Sequence, residues 1–165
     1  MANKITFIGA GNMASAIIGG LIDSGVAPST ITATAPNDSE LASIKQRLGI
    51  NTDTDNNAAV AEADVVVLAV KPQIMRTVCE ALRDSVQRQR PLVISIAAGL
   101  DASTIDQWLG GQNAMVRCMP NTPSLVGYGA SGLYANANVS DAQRDVATQL
   151  MEAVGIVEWV EEEAL

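Results

Sequence analysis

The chain has 165 residues, a net charge of −8, no histidine and two cysteines, with hydrophobic residues at 48% but aromatics at only 3%. An acidic surface repels nucleic-acid phosphates, and without histidine this chain can assemble neither a Ser-His-Asp triad nor a Cys/His zinc site, so no metal ligands are assigned. No apolar run approaches the roughly 20 residues of a membrane span, and the length suits one domain with a core of Ala, Val, Ile and Leu.

Met1 to Lys4 runs directly into a strand-like segment without a signal-peptide layout, so the expected location is the cytoplasm. Lys4–Gly9 is the first predicted strand. Asn12–Ser24 follows as a helix, its apolar face set by Met13, Ile17, Ile18, Leu21 and Ile22, with Gly25 at its C-terminal end. The pair Gly19-Gly20 inside it reads as a close-packing point. Ile31–Ala35 is a second strand, Ser39–Leu48 a second helix closed by Gly49, and Ile50–Thr52 a short third strand.

Asp64–Val70 is an unbroken apolar run, the pattern of a strand covered on both faces in the middle of a parallel sheet. Pro72 opens a helix that runs to about Gln89. Leu92–Ala97 is another buried strand, Ala102–Leu109 a helix and Ala114–Cys118 a strand. A Pro-bounded turn, a strand-like stretch Gly127–Ala135, a helix Asp141–Val154 and a strand Ile156–Val160 complete the order. Repeated βαβ units with right-handed crossovers define an α/β, doubly wound, mostly parallel sheet of Rossmann-like type with helices on both faces. Its ligand site is expected at the carboxyl ends of the strands. Cys79 and Cys118, not in a CxxC pair, read as small buried hydrophobes.

Gly9-Ala10-Gly11-Asn12-Met13-Ala14 reads G-x-G-x-x-A between a predicted strand and a predicted helix. Gly9 permits the tight turn. Gly11 lets the backbone approach a pyrophosphate where a Cβ would block it, and Ala14 allows close helix–strand packing. Free N–H groups and the positive end of the helix dipole can then hold an anionic cofactor within an acidic protein. The end of the second strand, Thr34-Ala35-Pro36-Asn37-Asp38-Ser39, carries no carboxylate on the strand itself. Asn37 and Ser39 could donate to a 2′-phosphate there, whereas Lys45 and Arg47 lie further along the helix. NADP is favoured over NAD, modestly.

The strands ending Ala69-Val70-Lys71-Pro72 and Ser95-Ile96-Ala97-Ala98-Gly99 open on the same edge as the glycine turn. Small residues there leave room for a flat ring, although helix initiation at Pro72 and packing at the alanines explain them equally well. Met119-Pro120-Asn121-Thr122-Pro123 reads as a rigid loop that either orients a substrate or ring or serves as a plain turn. Nothing in it titrates near neutral pH, so it supplies no general acid.

Taken together, these segments resemble the pyrroline-5-carboxylate reductase family. The likeness rests on Phe7 to Met13, Ala69 to Pro72, Ser95 to Gly99 and Arg117 to Pro123, in the family's order and spacing, and it runs through the closing Gly155–Glu163 segment. The resemblance implies reduction of 1-pyrroline-5-carboxylate to L-proline with NADPH or NADH. It implies cofactor contacts from Ile8, Gly9, Ala10, Gly11, Asn12, Met13, Ala35, Asn37, Asn56, Ala69, Val70, Lys71, Pro72, Ala97 and Ala98, and substrate proximity for Met119, Pro120, Asn121 and Thr122. It further implies a cofactor domain over residues 1–160, with 161–165 opening a helical second domain that holds the catalytic hydroxyl and most of the contacts of a homo-oligomer. The expected behaviour of this fragment alone is cofactor binding with little turnover. Two other readings stand beside it: the cofactor domain of a different NADP-linked two-domain dehydrogenase, acting on a β-hydroxyacid or a deazaflavin, and a non-catalytic dinucleotide-sensing module.

Overall fold

The structure, a computed structural model, describes residues 3–120, 129–153 and 155–165, with no account of the side chains of residues 120, 129 and 130. In chain order its elements are β1 (Ile5–Ile8), α1 (Asn12–Asp23), β2 (Ile31–Thr34), α2 (Asp38–Leu48), β3 (Asn51–Asp53), α3 (Asn56–Val60), β4 (Val65–Leu68), α4 (Pro72–Gln89), β5 (Leu92–Ser95), α5 (Ala102–Trp108), β6 (Ala114–Pro120), β7 (Gly129–Ala135), α6 (Asp141–Glu152) and β8 (Gly155–Trp159). Single 3-10 turns precede β2 and follow β8.

The strands form one sheet in the order β3-β2-β1-β4-β5-β6-β7-β8. β1 to β6 are mutually parallel, β7 is antiparallel to β6, and β8 is parallel to β7. The expected doubly wound, mostly parallel architecture is therefore present, with a reversed pair of strands at one side. β4 and β5 are buried at every position, as their unbroken Val, Leu and Ile runs require.

Two apolar layers cover the sheet. α1, α2 and α6 bury Ile17, Ile18, Leu21, Leu41, Ile44, Leu150 and Met151 against Phe7, Ala33, Val67 and Ile94 on one face. α3, α4 and α5 bury Val60, Met75, Cys79, Leu82 and Ile105 against Ile8, Val66, Leu68 and Val93 on the other. Each fully buried aliphatic side chain contributes about 1.5–3 kcal/mol of transfer free energy. This double layer makes the strand ends a fixed platform.

Several boundaries differ from the sequence reading for local reasons. α3 was not expected; Asp55 starts it by accepting from the N–H groups of Asn57 and Ala58. α2 begins one residue earlier than expected because Asn37 is its cap, accepting from Glu40 N at 3.1 Å. α6 ends at Glu152, and Val154 lies outside the described residues. Gly19 is not a close-packing point, since a Cβ there would meet nothing within 4 Å. The expected loop at Met119-Pro120 is instead the end of β6, which stays paired with β7 through Pro120 opposite Ser131. The rest of that loop, Asn121 to Pro123, falls outside the described residues. Among the described residues no helix is long and apolar enough to cross a membrane.

Candidate functional site

Parallel register brings the ends of β1, β2, β4 and β5 into one row, with β6 continuing beyond it to Pro120. Ile8 stands beside Thr34 and Leu68, Leu68 beside Ser95, and Ser95 beside Arg117. The ladder continues one residue further. Gly9 N donates to Thr34 O at 3.1 Å, Ala69 N to Ile8 O at 2.9 Å, and Ile96 N to Leu68 O at 3.3 Å. Gly9, Ala69 and Ile96 are thus held side by side at the carboxyl edge.

Gly9 adopts φ +113°, a backbone region that residues with a Cβ rarely enter. A Cβ there would also lie 2.6 Å from Ala69 O. The close approach of the two chains therefore requires glycine at this position. Gly11 is different: its φ is −78°, and a Cβ would meet no protein atom within 4 Å. Nothing among the described residues calls for glycine there, which fits a residue kept small for something outside the chain.

Gly11 is the N-cap of α1 and supplies no side-chain bond to the first-turn amides. No acidic residue lies in that first turn. α4, which starts from the neighbouring strand end, has Pro72 at its first position, no side-chain cap and no acidic first-turn residue. By contrast, α6 carries a complete capping box, with Gln143 N donating to Ser140 Oγ and Ser140 N to Gln143 Oε1. The uncapped start of α1 leaves backbone N–H donors and the positive helix end facing the edge, the arrangement that binds a diphosphate.

The residues singled out from sequence gather at this edge. Ile8 is buried at the end of β1; Gly9, Ala10 and Met13 are half-buried; Gly11 and Asn12 are exposed. On the next strand, Ala69 and Val70 are half-buried and Lys71 and Pro72 exposed. Beyond β5, Ala97 is buried and Ala98 exposed. On the other side, Ala35 is buried after β2, Asn37 caps α2, and Asn56 opens α3 after β3. Met119, half-buried, is near the end of β6, while Asn121 and Thr122 fall outside the described residues. Ser39 Oγ donates to Asn37 Oδ1 at 2.6 Å, so Ser39 is already engaged with the cap and Asn37 keeps its amide N–H₂ free to donate.

Cys118, on β6, is fully buried, and burial pushes its thiol up to about 12, with the Ser131 hydroxyl pulling the other way. Cys79 is raised to about 12 as well, by burial and then by the Glu80 carboxylate. Neither is a thiolate at neutral pH. Among the described residues the site offers amides, small side chains and shape, which orient a ligand.

Sequence reasoning missed a charged cluster beside this edge. Arg117, inside buried β6, has Nη1 3.6 Å from Glu162 Oε2 and 3.8 Å from Asp101 Oδ1. Glu162 Oε2 also accepts from Ala102 N at 2.7 Å. A lone arginine in the apolar run Ala114–Cys118 was the available signal, because a buried cation needs a partner.

An open parallel sheet with a glycine turn, an uncapped helix start and small residues on adjacent strand ends defines a dinucleotide-binding α/β domain. The chain belongs to the family described as NADP oxidoreductase, coenzyme F420-dependent, whose model matches residues 4–99. It is also 50% identical over 161 residues to pyrroline-5-carboxylate reductases of Pseudomonas aeruginosa and of Vibrio alginolyticus, covering 98% of this chain and 59% of each relative. The solved pyrroline-5-carboxylate reductase of Coxiella burnetii superposes with a TM-score of 0.95 at 45% identity, over 99% of this chain and 60% of that one. The Plasmodium falciparum pyrroline carboxylate reductase, solved with NADP bound, gives a TM-score of 0.85 at 27% identity, over 98% of this chain and 58% of that one. The chain thus spans about three-fifths of the length of these relatives.

Proposed function

We propose that this chain is the cofactor-binding part of a pyrroline-5-carboxylate reductase, which reduces 1-pyrroline-5-carboxylate to L-proline in the last step of proline biosynthesis. The observation that carries this reading is that likeness to those reductases continues over 161 residues, well past the shared dinucleotide segment that ends at residue 99. Residues 1–160 form the cofactor domain in this reading, and the remaining length of the relatives supplies a helical substrate domain, the catalytic hydroxyl and the contacts of a homo-oligomer. Cytoplasmic location belongs to the same reading.

The residues present fit the cofactor. The open space at Gly11, the uncapped amides of α1 and the absence of first-turn carboxylates there suit a pyrophosphate. Ala35 and Asn37 would meet the adenosine end, with Asn37 as donor to a 2′-phosphate, and Asn56 would lie nearby. Val70, Lys71 and Pro72, with Ala97 and Ala98, would flank the nicotinamide; Met119 to Thr122 would approach the substrate. NADPH, when bound, supplies the hydride. The chain would contribute proximity: ladder-fixed strand ends would orient the ring toward the imine carbon, and buried Ala97 would help to exclude water from one side. A protonated imine is already electrophilic, so the lack of histidine is compatible with the chemistry.

Calorimetric titration of this chain with NADPH tests the cofactor assignment; one-to-one binding is expected, and no heat of binding would overturn it. Proline formation by the polypeptide that contains this domain with its full downstream sequence tests the substrate. A second reading, a deazaflavin-dependent NADP enzyme, is favoured by the description of the matching family as NADP oxidoreductase, coenzyme F420-dependent. Activity of that polypeptide on a deazaflavin but not on 1-pyrroline-5-carboxylate would select it.

A further inference from the structure

The turn from Ile96 to Asp101, which joins β5 to α5, carries Ala97 and Ala98 at the nicotinamide end of the proposed cleft. Its first half is held locally, since Ala97 N donates to Ser95 Oγ at 3.3 Å. Its second half is not. Asp101, the N-cap residue of α5, makes no side-chain capping bond. The acceptor for Ala102 N is Glu162 Oε2 at 2.7 Å, supplied from 60 residues away.

The same oxygen lies 3.6 Å from Arg117 Nη1. Arg117 is on β6 in register with Ser95, the last residue of β5 before the turn. Its side chain is 6% exposed, and its Nε has no partner among the described residues. The Asp101 carboxylate at 3.8 Å is 67% exposed and well solvated, so the balance of the buried charge falls mainly on Glu162, which is 25% exposed. Glu162 is itself fixed by a 3-10 turn over Glu162–Ala164, and the Leu165 side chain packs against β7 at Gly132, where a Cβ would lie 2.8 Å from Leu165 Cδ2.

We infer that Glu162 and Arg117 are positioning residues that fix the Ile96–Asp101 turn, and with it the nicotinamide end of the cofactor cleft. The inference rests on the cofactor reading above. One carboxylate oxygen serves both the amide that starts α5 and the guanidinium beside the end of β5. Its loss frees the far half of the turn, while Gly9 stays held by Thr34 O and Gly11 by the helix bond from Ser15 N.

The test is binding, which needs no turnover. NADPH spans both ends of the cleft, whereas adenosine 2′,5′-bisphosphate reports only the adenosine end. Glu162→Ala is expected to weaken NADPH about tenfold while leaving the bisphosphate within about twofold. Glu162→Asp keeps a charge beside Arg117 but withdraws the oxygen from Ala102 N; it gives the same split to a smaller extent and carries the test alone if Glu162→Ala does not fold. Hydrogen exchange at the Ala102 amide should accelerate in both variants. Unchanged NADPH affinity, or equal weakening of both ligands, overturns the positioning role. A wild-type chain that binds neither ligand overturns the cofactor reading itself, a result recognisable before any variant is made.

Discussion

The α-carbon of Gly9 faces the carbonyl of Ala69 so closely that a Cβ would lie 2.6 Å from the oxygen, and the backbone at Gly9 is at φ +113°. Two neighbouring parallel strands meet here without a side chain between them. Gly9→Ala should therefore destabilise the fold by about 3 kcal/mol, from an unfavourable φ added to a backbone clash. Urea denaturation followed by circular dichroism checks this; a loss below about 0.5 kcal/mol would show that the contact relaxes freely.

At the proposed adenosine end, the residue that caps α2 after β2 is an amide, Asn37. Ser39 is occupied by Asn37 Oδ1, and Lys45 and Arg47 lie in the last turn of α2. A modest preference for NADPH over NADH is expected, about tenfold or less. Asn37→Asp keeps the helix cap, because aspartate caps as well as asparagine, but places a carboxylate opposite the 2′-phosphate. It should reverse the preference toward NADH. Paired titrations with the two cofactors read the ratio directly, and an unchanged ratio would place the 2′-phosphate elsewhere.

The buried thiols make stability depend on alkaline pH. Both Cys79 and Cys118 are raised from 9.0 to about 12 in the folded chain. Below pH 9 both states keep the thiols protonated, and these groups leave stability flat. Between pH 9 and about 12 the unfolded chain loses protons that the folded chain retains, so stability falls by up to about 1.4 kcal/mol per pH unit for each thiol. Replacing both with alanine should flatten that part of the profile. Thiol reagents should react with the native chain only as fast as it opens, measured by absorbance at pH 8.

α6 offers a control far from the proposed cleft. Ser140→Ala removes one arm of the capping box and should cost about 1 kcal/mol of stability without altering NADPH affinity. Denaturation and titration of the same sample separate the two effects. A parallel loss of affinity would mean that the cleft responds to global stability.

Much of the fold was legible because its signals are local. The apolar run Val65–Leu68 dictates a doubly covered strand, and Gly49, which takes φ +70° and donates to Lys45 O, ends α2 where its sequence position suggested. α3 escaped notice because five residues are too short for a helical period to show, and its cap Asp55 sits among other Asn and Asp residues. The reversal of β7 and β8 is a matter of pairing direction, which alternation along a strand does not encode. Glu162 stands in the sequence only as part of the segment 161–165 expected to open a second domain. Its contacts with Ala102 and Arg117 join residues 60 and 45 positions away, so no window along the chain contains them.

Gly11 gives the most direct measurement. It has space for a Cβ and an ordinary φ, so Gly11→Ala should change stability by no more than about 0.5 kcal/mol. The same substitution should weaken NADPH binding at least about tenfold in a calorimetric titration, because the methyl group occupies the place of the diphosphate. Equal affinity in the variant and the wild type would contradict a diphosphate seated on the start of α1.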